Sequence, residues 1–536
     1  MKKIAFTVVL ISSFIALSQP QAELREPLEW LYPDSRVGER PAFAETDVPA
    51  NGVAEANVLL TGLEKGAEVR VAGGGEWFRL VDIPVEHNTG VIGFVENEKK
   101  AETNRFVTRR APFRVYDAMD PIKGGAFVPD GATAALRFRL RQLPGVGTTD
   151  LKLRVAQGTF VAELPLRVNV YAASVTPVGR HSFKYTNWMD YWAMATRHGL
   201  KPWSEEHWQM IGRYAAMAVY ARQNMAILRI EDFMSRKDGR LVVDEARLKR
   251  LVDIWDAAGA YWLEGGHICN FTGGMWSAKT FDVRLFDKRS TSPEGEAAIR
   301  TIATELVRII DKFGWRDRWV QHVADEPSGH NVTEYRLTCG IVRKHLPGIR
   351  LADAVETEEM AGALDAYCPK NRYYQEHRAA FDAYRKAGDE VWCYTCCYPG
   401  GEWLNRLLDN ELIRPLLLPW GCARFHLDGY LHWGFNRFQK GIDPFKQSIT
   451  GDWHLGKSLP PGDRNIVYPG EGGPWPSLRL EAQRQGMEDL ELLHRLKKND
   501  PKRADALVLK LVRGFDDYEK DAKIYRAVRK ELLQVL

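Results

Sequence analysis

The hydrophobic and polar positions of this chain change their period near residue 177. Before that point, short runs at residues 68–72, 135–140, 151–155 and 164–170 alternate apolar and polar side chains, and turns rich in glycine, proline or aspartate separate them. A period of two residues with turns at this spacing is typical of a β-sandwich. We therefore predict a sandwich domain over residues 23–176, in which no residue stands out as catalytic.

After residue 177, strand-like runs alternate with helix-like runs. The predicted strands are 181–186, 224–230, 261–268, 319–325, 349–354, 365–369, 390–396 and 428–435. The predicted helices between them include 204–222, 244–260, 292–313, 332–345, 374–387 and 403–424. Ser292 is a good N-cap for the third of these helices, which has apolar residues at helical spacing. Eight alternating units predict a TIM (β/α)8-type barrel over residues 177–470.

The last part of the chain, residues 471–536, is predicted to be a helical segment that packs on the outside of the barrel. Its charged sequence has one apolar side, formed by Leu480, Met487, Leu490, Leu493 and Leu496. The predicted fold class is thus a multidomain β plus α/β protein: a β-sandwich, a barrel and C-terminal helices.

The first 22 residues have the pattern of a signal peptide. A basic start, Met1-Lys2-Lys3, precedes an apolar stretch at 4–17 that is short for a membrane span, and small residues suit cleavage after Ser18 or Ala22. No later stretch reaches transmembrane length. We expect an exported protein, periplasmic or secreted after cleavage.

Composition argues against several function classes. A hydrophobic content of 45% and a charged content of 27% are ordinary for a globular protein, and a net charge of +4 without a polybasic tract argues against nucleic-acid binding. Cys393, Cys396 and Cys397 could indicate a metal or redox site, but no second Cys/His pair completes a zinc set. We interpret the seven cysteines as small buried hydrophobes, with room for one disulfide.

The most informative stretch is Trp319–Pro327, WVQHVADEP. It predicts a buried strand that ends in two adjacent carboxylates, Asp325 and Glu326, where Pro327 stops the ladder. Neighbouring like charges resist joint ionisation, so the pair is costly and indicates acid–base chemistry. As the end of the fourth predicted strand it would lie at the barrel mouth. The alternative is that one acid simply caps the next helix.

Two carboxylates in one cleft suggest glycoside hydrolysis. Adjacent acids, however, are too close together to stand on opposite sides of an anomeric carbon. They suit a reaction in which one acid protonates the leaving oxygen, while the other holds a 2-acetamido group that is itself the nucleophile.

The strand that ends in Asp325-Glu326-Pro327 resembles the catalytic motif of glycoside hydrolase family 123, the β-N-acetylgalactosaminidases. Two further groups of residues resemble that family and its uncharacterised relatives, and the N-terminal sandwich agrees with it in architecture. These groups are residues 392–397 with 405–406, 414, 418–420 and 428–434, and residues 468–470 with 477–481 and 486–489. The likeness covers nearly all of the mature chain and is specific in its second half.

The resemblance implies separate roles for the two acids. Glu326 would be the general acid/base, which first protonates the glycosidic oxygen and then deprotonates water. Asp325 would stay ionised, hold the acetamido N–H and stabilise the positive charge of an oxazoline-like ring. No protein nucleophile is needed, and the product would keep its β configuration.

Further candidates for substrate binding lie on other strands. Asn224 could bond a sugar hydroxyl, although it opens the second strand. His322 could orient Glu326 or be a core histidine. Trp392 and Tyr394 share one face of the seventh strand and suit a wall for the acetamido methyl and a hydroxyl donor to its carbonyl.

Three residues surround the eighth strand, Asp428, Tyr430 and Trp433, and Trp433 could stack beneath the sugar ring. Core packing is an equally good interpretation of each aromatic residue. His322, Asp325 and Glu326 could also bind a metal, but no further cluster at ligand spacing supports one.

The predicted function is an exported glycoside hydrolase that releases terminal β-linked N-acetylhexosamine, with N-acetylgalactosamine as the expected sugar. It would need no cofactor or metal, and its partner would be a glycan. The alternatives are a hydrolase for another amino sugar or a uronic-acid-containing glycan, and a non-catalytic glycan-binding protein. The intact Asp325–Glu326 pair argues against the binding protein.

Overall fold

The computed structural model describes residues 19–96, 103–452 and 457–536, so most of the predicted signal peptide lies outside the described residues. Strands β1 to β10 are Gln21–Arg25, Glu45–Pro49, Ala54–Thr61, Val69–Ala72, Glu76–Val85, Phe113–Pro121, Ala126–Phe127, Ala134–Leu140, Gly147–Gln157 and Phe160–Tyr171. They form two five-stranded sheets, in the orders β1-β3-β8-β5-β6 and β2-β10-β9-β4-β7. Alternate apolar side chains of both sheets meet in one core, which confirms the predicted sandwich.

Strands β11 to β27 are Lys184–Asn187, Met225–Leu228, Met234–Lys237, Arg240–Val243, Trp262–Gly265, Cys269–Phe271, Phe281–Val283, Lys288–Arg289, Trp319–Gln321, Arg350–Val355, Ala366–Pro369, Glu390–Thr395, Gly429–His432, Thr450–Asp452, Lys457–Leu459, Tyr468–Gly470 and Gly473–Trp475. Eight of them form one parallel sheet, in the order β11-β23-β22-β21-β20-β19-β15-β12. Each of the eight overlaps a predicted strand in the predicted order. The sheet curves into a nearly closed barrel, as predicted.

The two edges of this sheet, β11 and β12, meet where these strands begin, and Asn224 joins them. Its backbone N–H donates to the Tyr185 carbonyl at 3.2 Å, and its side-chain oxygen accepts the Tyr185 N–H at 3.0 Å. Its amide nitrogen donates to the Ser182 carbonyl at 3.1 Å. Asn224, predicted to contact a sugar hydroxyl, thus lies at the end of the barrel opposite the mouth, and its side chain is hydrogen-bonded within the fold.

Helices α1 to α12 of the described residues are Tyr191–Arg197, Glu205–Tyr220, Ile230–Phe233, Glu245–Ala258, Pro293–Lys312, Val332–His345, Asn371–Glu376, Arg378–Ala387, Ile413–Phe425, Leu478–Asn499, Pro501–Leu511 and Ala522–Val535. None of these helices is both long and apolar enough to cross a membrane. Ser292 caps α5 as predicted, since its hydroxyl accepts the Gly295 N–H at 3.0 Å.

One predicted helix, 403–424, is shorter in the structure, and an arginine bonds carbonyl groups at and just before its predicted start. The Arg414 guanidinium donates to the carbonyls of Gly401 and Trp403 at 2.7 and 3.2 Å. These bonds stabilise an irregular loop, and α9 begins only at Ile413.

Helix α10 lies between the barrel and the sandwich and is buried along most of its length. Its apolar residues pack against α9, so closely that a Cβ at Gly486 would lie 2.1 Å from the Leu416 carbonyl oxygen. Its charged residues meet the sandwich: Arg484 pairs with Glu55 at 2.9 Å, and Arg139 pairs with Glu481 at 2.7 Å. The segment thus contacts the sandwich as well as the barrel.

The first turn of α10 contains a fully buried ion pair between Arg479 and Asp117 of β6, at 2.9 Å. We expect Asp117→Ala to lower the free energy of unfolding by about 3–5 kcal/mol, because it leaves the guanidinium charge buried and uncompensated. Urea denaturation followed by fluorescence would measure this loss. As a control, Asp150→Ala removes an exposed carboxylate that pairs with Arg167 and should leave the midpoint of urea denaturation unchanged. Equal effects of both variants would contradict the prediction.

Candidate active site

A cavity of about 550 Å³ opens at the end of the barrel where the parallel strands finish. We call it the mouth cavity. Its lining includes acidic, basic and aromatic side chains that follow different barrel strands. Among them are Trp188, Asp325, Glu326, Glu356, Lys370, Tyr394 and Trp433. This is where TIM barrels carry their reactive groups.

The two adjacent acids lie in the loop after β19, which ends earlier than predicted. The reason is a side chain: the Asp353 carboxylate accepts the backbone N–H groups of Val323 and Ala324 at 2.9 and 3.1 Å. These two N–H groups thus bond a side-chain carboxylate of β20 instead of a backbone carbonyl of that strand. Glu326 then adopts a left-handed backbone conformation, with φ of 43°. Such strain in a residue other than glycine costs about 1–3 kcal/mol and is most common at functional sites.

Neither acid caps the following helix. The N-cap position of α6 is Asn331, five residues beyond Glu326 in the chain. The alternative that Asp325 or Glu326 serves as a helix cap is therefore excluded, and both carboxyl groups line the mouth cavity instead.

Glu326 lies in the more enclosed environment, with 16% of its side chain exposed. Its Oε1 accepts a hydrogen bond from the Tyr394 hydroxyl and lies 3.5 Å from the Lys370 ammonium. Burial and, to a smaller extent, the neighbouring Asp325 carboxylate raise the pKa of Glu326, while the Lys370 ammonium lowers it. The net result is a raised pKa. A protonated carboxyl group can therefore persist here at a higher pH than in water.

Asp325 is more open to solvent, with 36% of its side chain exposed. Its Oδ1 lies 3.8 Å from Nε2 of His267, which comes from the loop after β15. The two neighbouring acids thus occupy different environments, one enclosed and one accessible.

Beneath the mouth cavity, His322 is buried between two carboxylates. Its Nδ1 lies 2.7 Å from Asp353 and its Nε2 lies 2.7 Å from Glu264. Burial alone would lower the pKa of His322, but these two partners raise it to about 10. His322 does not contact Glu326 or line the mouth cavity; the structure places it in the core, where its two carboxylate partners favour the imidazolium form.

The same cluster offers little to a metal ion. Donor atoms of His267, His322 and Asp353 lie within 4.8 Å of one another. Both ring nitrogens of His322, however, are already hydrogen-bonded to carboxylates, so this residue has no nitrogen free to coordinate a metal.

Two other predicted residues, Tyr394 and Trp433, line the mouth cavity together with Asp325 and Glu326. The guanidinium carbons of Arg437 and Arg464 lie 5.4 Å from the Trp433 ring centroid. Part of the Trp433 ring is thus covered by cations, which restricts the area available to a sugar.

Three predicted residues lie away from the mouth cavity, because strand direction sets their position. Trp392 lies inside the barrel, with its indole N–H donated to Glu390 at 2.9 Å. Asp428 precedes β23 at the opposite end of the barrel and accepts the Val391 N–H at 2.9 Å. Tyr430 packs in the large core that includes the helices and lies 2.6 Å from the Thr395 hydroxyl. None of these three predicted residues lines the mouth cavity.

Sequence reasoning missed several lining residues. Lys370, Glu356 and Trp188 each lie one residue beyond the end of a barrel strand, so the rule that placed Asp325 at the mouth could have found them. Phe94 belongs to the long loop after β5 of the sandwich, and its N–H donates to the Cys397 carbonyl at 3.0 Å. No local pattern signals this contact, because the two residues are distant in sequence.

The cysteines have no disulfide partners in the structure. All seven are described, and all but Cys397 are buried, as the interpretation of small hydrophobes predicts. Cys396 and Cys397 both line the mouth cavity, and their sulfur atoms lie 4.0 Å apart.

Comparison with known proteins places this geometry in a family. Residues 188–496 match the family model "Glycoside hydrolase 123, catalytic domain". A family 123 glycoside hydrolase from Clostridium perfringens has a similar structure, with a TM-score of 0.70 and 11% identity over 96% of each chain. A β-glucuronidase from Parabacteroides merdae gives a TM-score of 0.34 at 10% identity, over 87% of this chain and 51% of that one. The curated proteins contain no match. The family model covers more than half of the chain and contains every lining residue of the mouth cavity except Phe94, so this protein belongs to glycoside hydrolase family 123.

Proposed function

We propose that this glycoside hydrolase removes terminal β-linked N-acetylhexosamine, with N-acetylgalactosamine as the expected sugar, and that the substrate's own 2-acetamido group is the nucleophile. The observation that carries the proposal is the contrast within one pair of neighbouring acids. Glu326 is enclosed and has a raised pKa, whereas Asp325 is partly exposed. Two carboxyl groups on adjacent residues suit this chemistry better than a scheme that needs one acid on each side of the sugar.

In the first step, protonated Glu326 gives its proton to the glycosidic oxygen as the bond from that oxygen to the anomeric carbon breaks. The acetamido carbonyl oxygen forms the new bond to the anomeric carbon and closes an oxazoline-like ring. Ionised Asp325 accepts the acetamido N–H and stabilises the positive charge of the ring.

In the second step, Glu326 is a carboxylate and takes a proton from water. The water oxygen attacks the anomeric carbon, and the bond to the acetamido oxygen breaks. Two inversions at one carbon leave the product with its original β configuration. The Tyr394 hydroxyl and the Lys370 ammonium contact Glu326 and support its charged form in this step.

A specific observation favours one rival mechanism. Glu356 also lines the mouth cavity and shares the Lys370 ammonium with Glu326. Two carboxyl groups that contact one ammonium are close enough to suggest a double displacement, in which Glu356 would attack a sugar that has no acetamido group.

A panel of three substrates tests the proposal: the 4-nitrophenyl β-glycosides of N-acetylgalactosamine, N-acetylglucosamine and galactose. We expect turnover of the first, less of the second and almost none of the third. Equal turnover of the galactoside would exclude participation of the acetamido group and favour the Glu356 mechanism. Because the similar Clostridium perfringens enzyme is described for glycolipid glycan hydrolysis, glycolipid glycans belong in the second round of substrates.

Export is part of the proposal and rests on the sequence of residues 1–22. N-terminal sequencing of the protein recovered outside the cytoplasm should find a chain that starts after Ser18 or Ala22. Recovery of uncleaved protein only from the cytoplasm would contradict export.

Lys370 should control the pH dependence of activity. Its charge lowers the pKa of Glu326, so Lys370→Met should raise that pKa further. Because the first step needs protonated Glu326, kcat/KM falls as the pH rises through this pKa, and the alkaline limb of the profile should move to higher pH in the variant. The control is Lys123→Met, a mostly exposed lysine of the sandwich, which should leave the profile unchanged. A shift of the limb to lower pH would contradict the assignment of Glu326 as the acid.

A further inference from the structure

A chain of buried polar side chains runs beneath Asp325. Glu264 accepts hydrogen bonds from the Thr186 hydroxyl at 2.6 Å and the Trp188 indole N–H at 2.8 Å, and it pairs with His322 at 2.7 Å. His322 in turn pairs with Asp353 at 2.7 Å. All of these groups come from barrel strands or from the residues that follow them.

Asp353 is held in one place by its partners. Its carboxylate accepts hydrogen bonds from the backbone N–H groups of Val323 and Ala324, from His322 and from the Tyr335 hydroxyl. Burial alone would raise the pKa of Asp353, but the adjacent histidines lower it below its ordinary value. Asp353 is therefore a fixed, ionised carboxylate below the mouth cavity.

His267 lies between this fixed carboxylate and Asp325. Its Nε2 is 3.4 Å from Asp353 Oδ1 and 3.8 Å from Asp325 Oδ1. This nitrogen is buried, yet it makes no hydrogen bond with the described residues. The ring packs against His322 and Trp188, with centroids 4.8 and 5.4 Å away, so its motion is restricted to small changes of angle. A buried ring nitrogen that lies near two carboxylates but has hydrogen-bond geometry with neither is costly, and such groups call for a functional explanation.

We propose that His267 is a positioning residue for Asp325, whose Nε2–H donates to the Asp325 carboxylate when substrate is bound. This inference rests on the proposed function, because it assigns a task to the residue that holds the acetamido group. One oxygen of Asp325 would accept a hydrogen bond from the acetamido N–H, and the other would accept a hydrogen bond from His267 Nε2–H. Two donors on one carboxylate fix its plane. Catalytic hydrogen bonds that are long in the free enzyme often shorten in the substrate complex.

Two substitutions at position 267 separate positioning from packing. Gln places an amide N–H close to the position of Nε2, whereas Leu fills the space without a donor. We expect His267→Leu to lower kcat/KM for 4-nitrophenyl N-acetyl-β-galactosaminide by about 10- to 100-fold, and His267→Gln to keep most of the activity. Equal losses in both variants, or no loss in either, would overturn the proposal. Melting temperatures of both variants report whether the fold is intact. If the Leu variant is unstable, His267→Asn takes its place, because the Asn side chain is too short to reach Asp325.

A double-mutant cycle with Asp325→Asn provides a result that a structural role would not give. If His267 acts through Asp325, adding His267→Leu to Asp325→Asn should cost less than about twofold, because the partner is already lost. A full, multiplicative loss in the double variant would show that His267 acts independently and would overturn the inference.

The affinity for a bicyclic thiazoline, which mimics the oxazoline-like ring, gives a second readout that needs no turnover. We expect His267→Leu to bind it more weakly and His267→Gln to bind it nearly as well as the wild type. A wild-type enzyme that neither hydrolyses acetamido sugars nor binds the thiazoline contradicts the proposed function itself. An active wild type with an unaffected Leu variant contradicts only the role of His267.

Discussion

Glu326→Gln is expected to lower kcat/KM for 4-nitrophenyl N-acetyl-β-galactosaminide by about 10²- to 10⁴-fold, the contribution typical of a general acid/base. The amide has nearly the size of the carboxyl group but cannot give its proton to the leaving oxygen. Steady-state kinetics at the optimum pH of the wild type would measure the loss. Full activity of this variant would remove Glu326 from its proposed role.

The leaving group provides an internal control for this experiment. 2,4-Dinitrophenolate departs without a proton. The rate of the first step in Glu326→Gln should therefore fall much less with this leaving group than with 4-nitrophenolate. Glu356→Gln is the matched comparison, because Glu356 lines the same cavity and also pairs with Lys370. A loss in Glu356→Gln as large as that in Glu326→Gln would favour the double displacement over participation of the acetamido group.

Asp325→Asn is expected to lower kcat/KM for the same substrate by about 10²- to 10³-fold, the usual effect of removing one group that stabilises transition-state charge. Asn has the same shape, but it carries no charge to stabilise the oxazoline-like ring, and its N–H₂ would oppose the acetamido N–H. The loss should fall mainly on kcat, because the interaction strengthens as the ring closes.

The control for this variant is Asp505→Asn, which changes a half-exposed carboxylate of the C-terminal helices and should leave kcat/KM unchanged. Asp325→Asn should also leave any slow turnover of the non-acetylated galactoside unchanged. An equal loss with the acetylated and the non-acetylated substrate would indicate that Asp325 supports the fold of the site rather than the acetamido group.

The arrangement of Asp325, Glu326 and Tyr394 around one cavity could be predicted because it follows from strand order. The sequence predicts residues 319–325 to be the fourth strand, and in a parallel barrel all strands end at the same mouth. Asn224 and Asp428 stand where strands begin, so the same rule places them at the opposite end of the barrel, where the structure has them. Trp392 lies within a strand, and its side chain points into the barrel.

Long-range contacts account for the rest of the site. His322 has the spacing of a cavity residue, but whether it meets substrate or carboxylates depends on Glu264 and Asp353, which belong to other strands. Phe94 comes from the sandwich and reaches the cavity only because its loop binds the chain near Cys397. No periodicity within a local window contains such information.

The order of sandwich, barrel and helices, and the place of two adjacent acids at the barrel mouth, could be predicted because hydrophobic period and chain order are local properties. The enclosure of Glu326, the accessibility of Asp325 and the position of His267 between Asp325 and a fixed carboxylate became visible only in the folded chain. The same holds for the charged side of α10, which meets the sandwich rather than solvent. In each case, burial and nearby charges determine the behaviour of a titratable group, and residues far apart in the chain supply both.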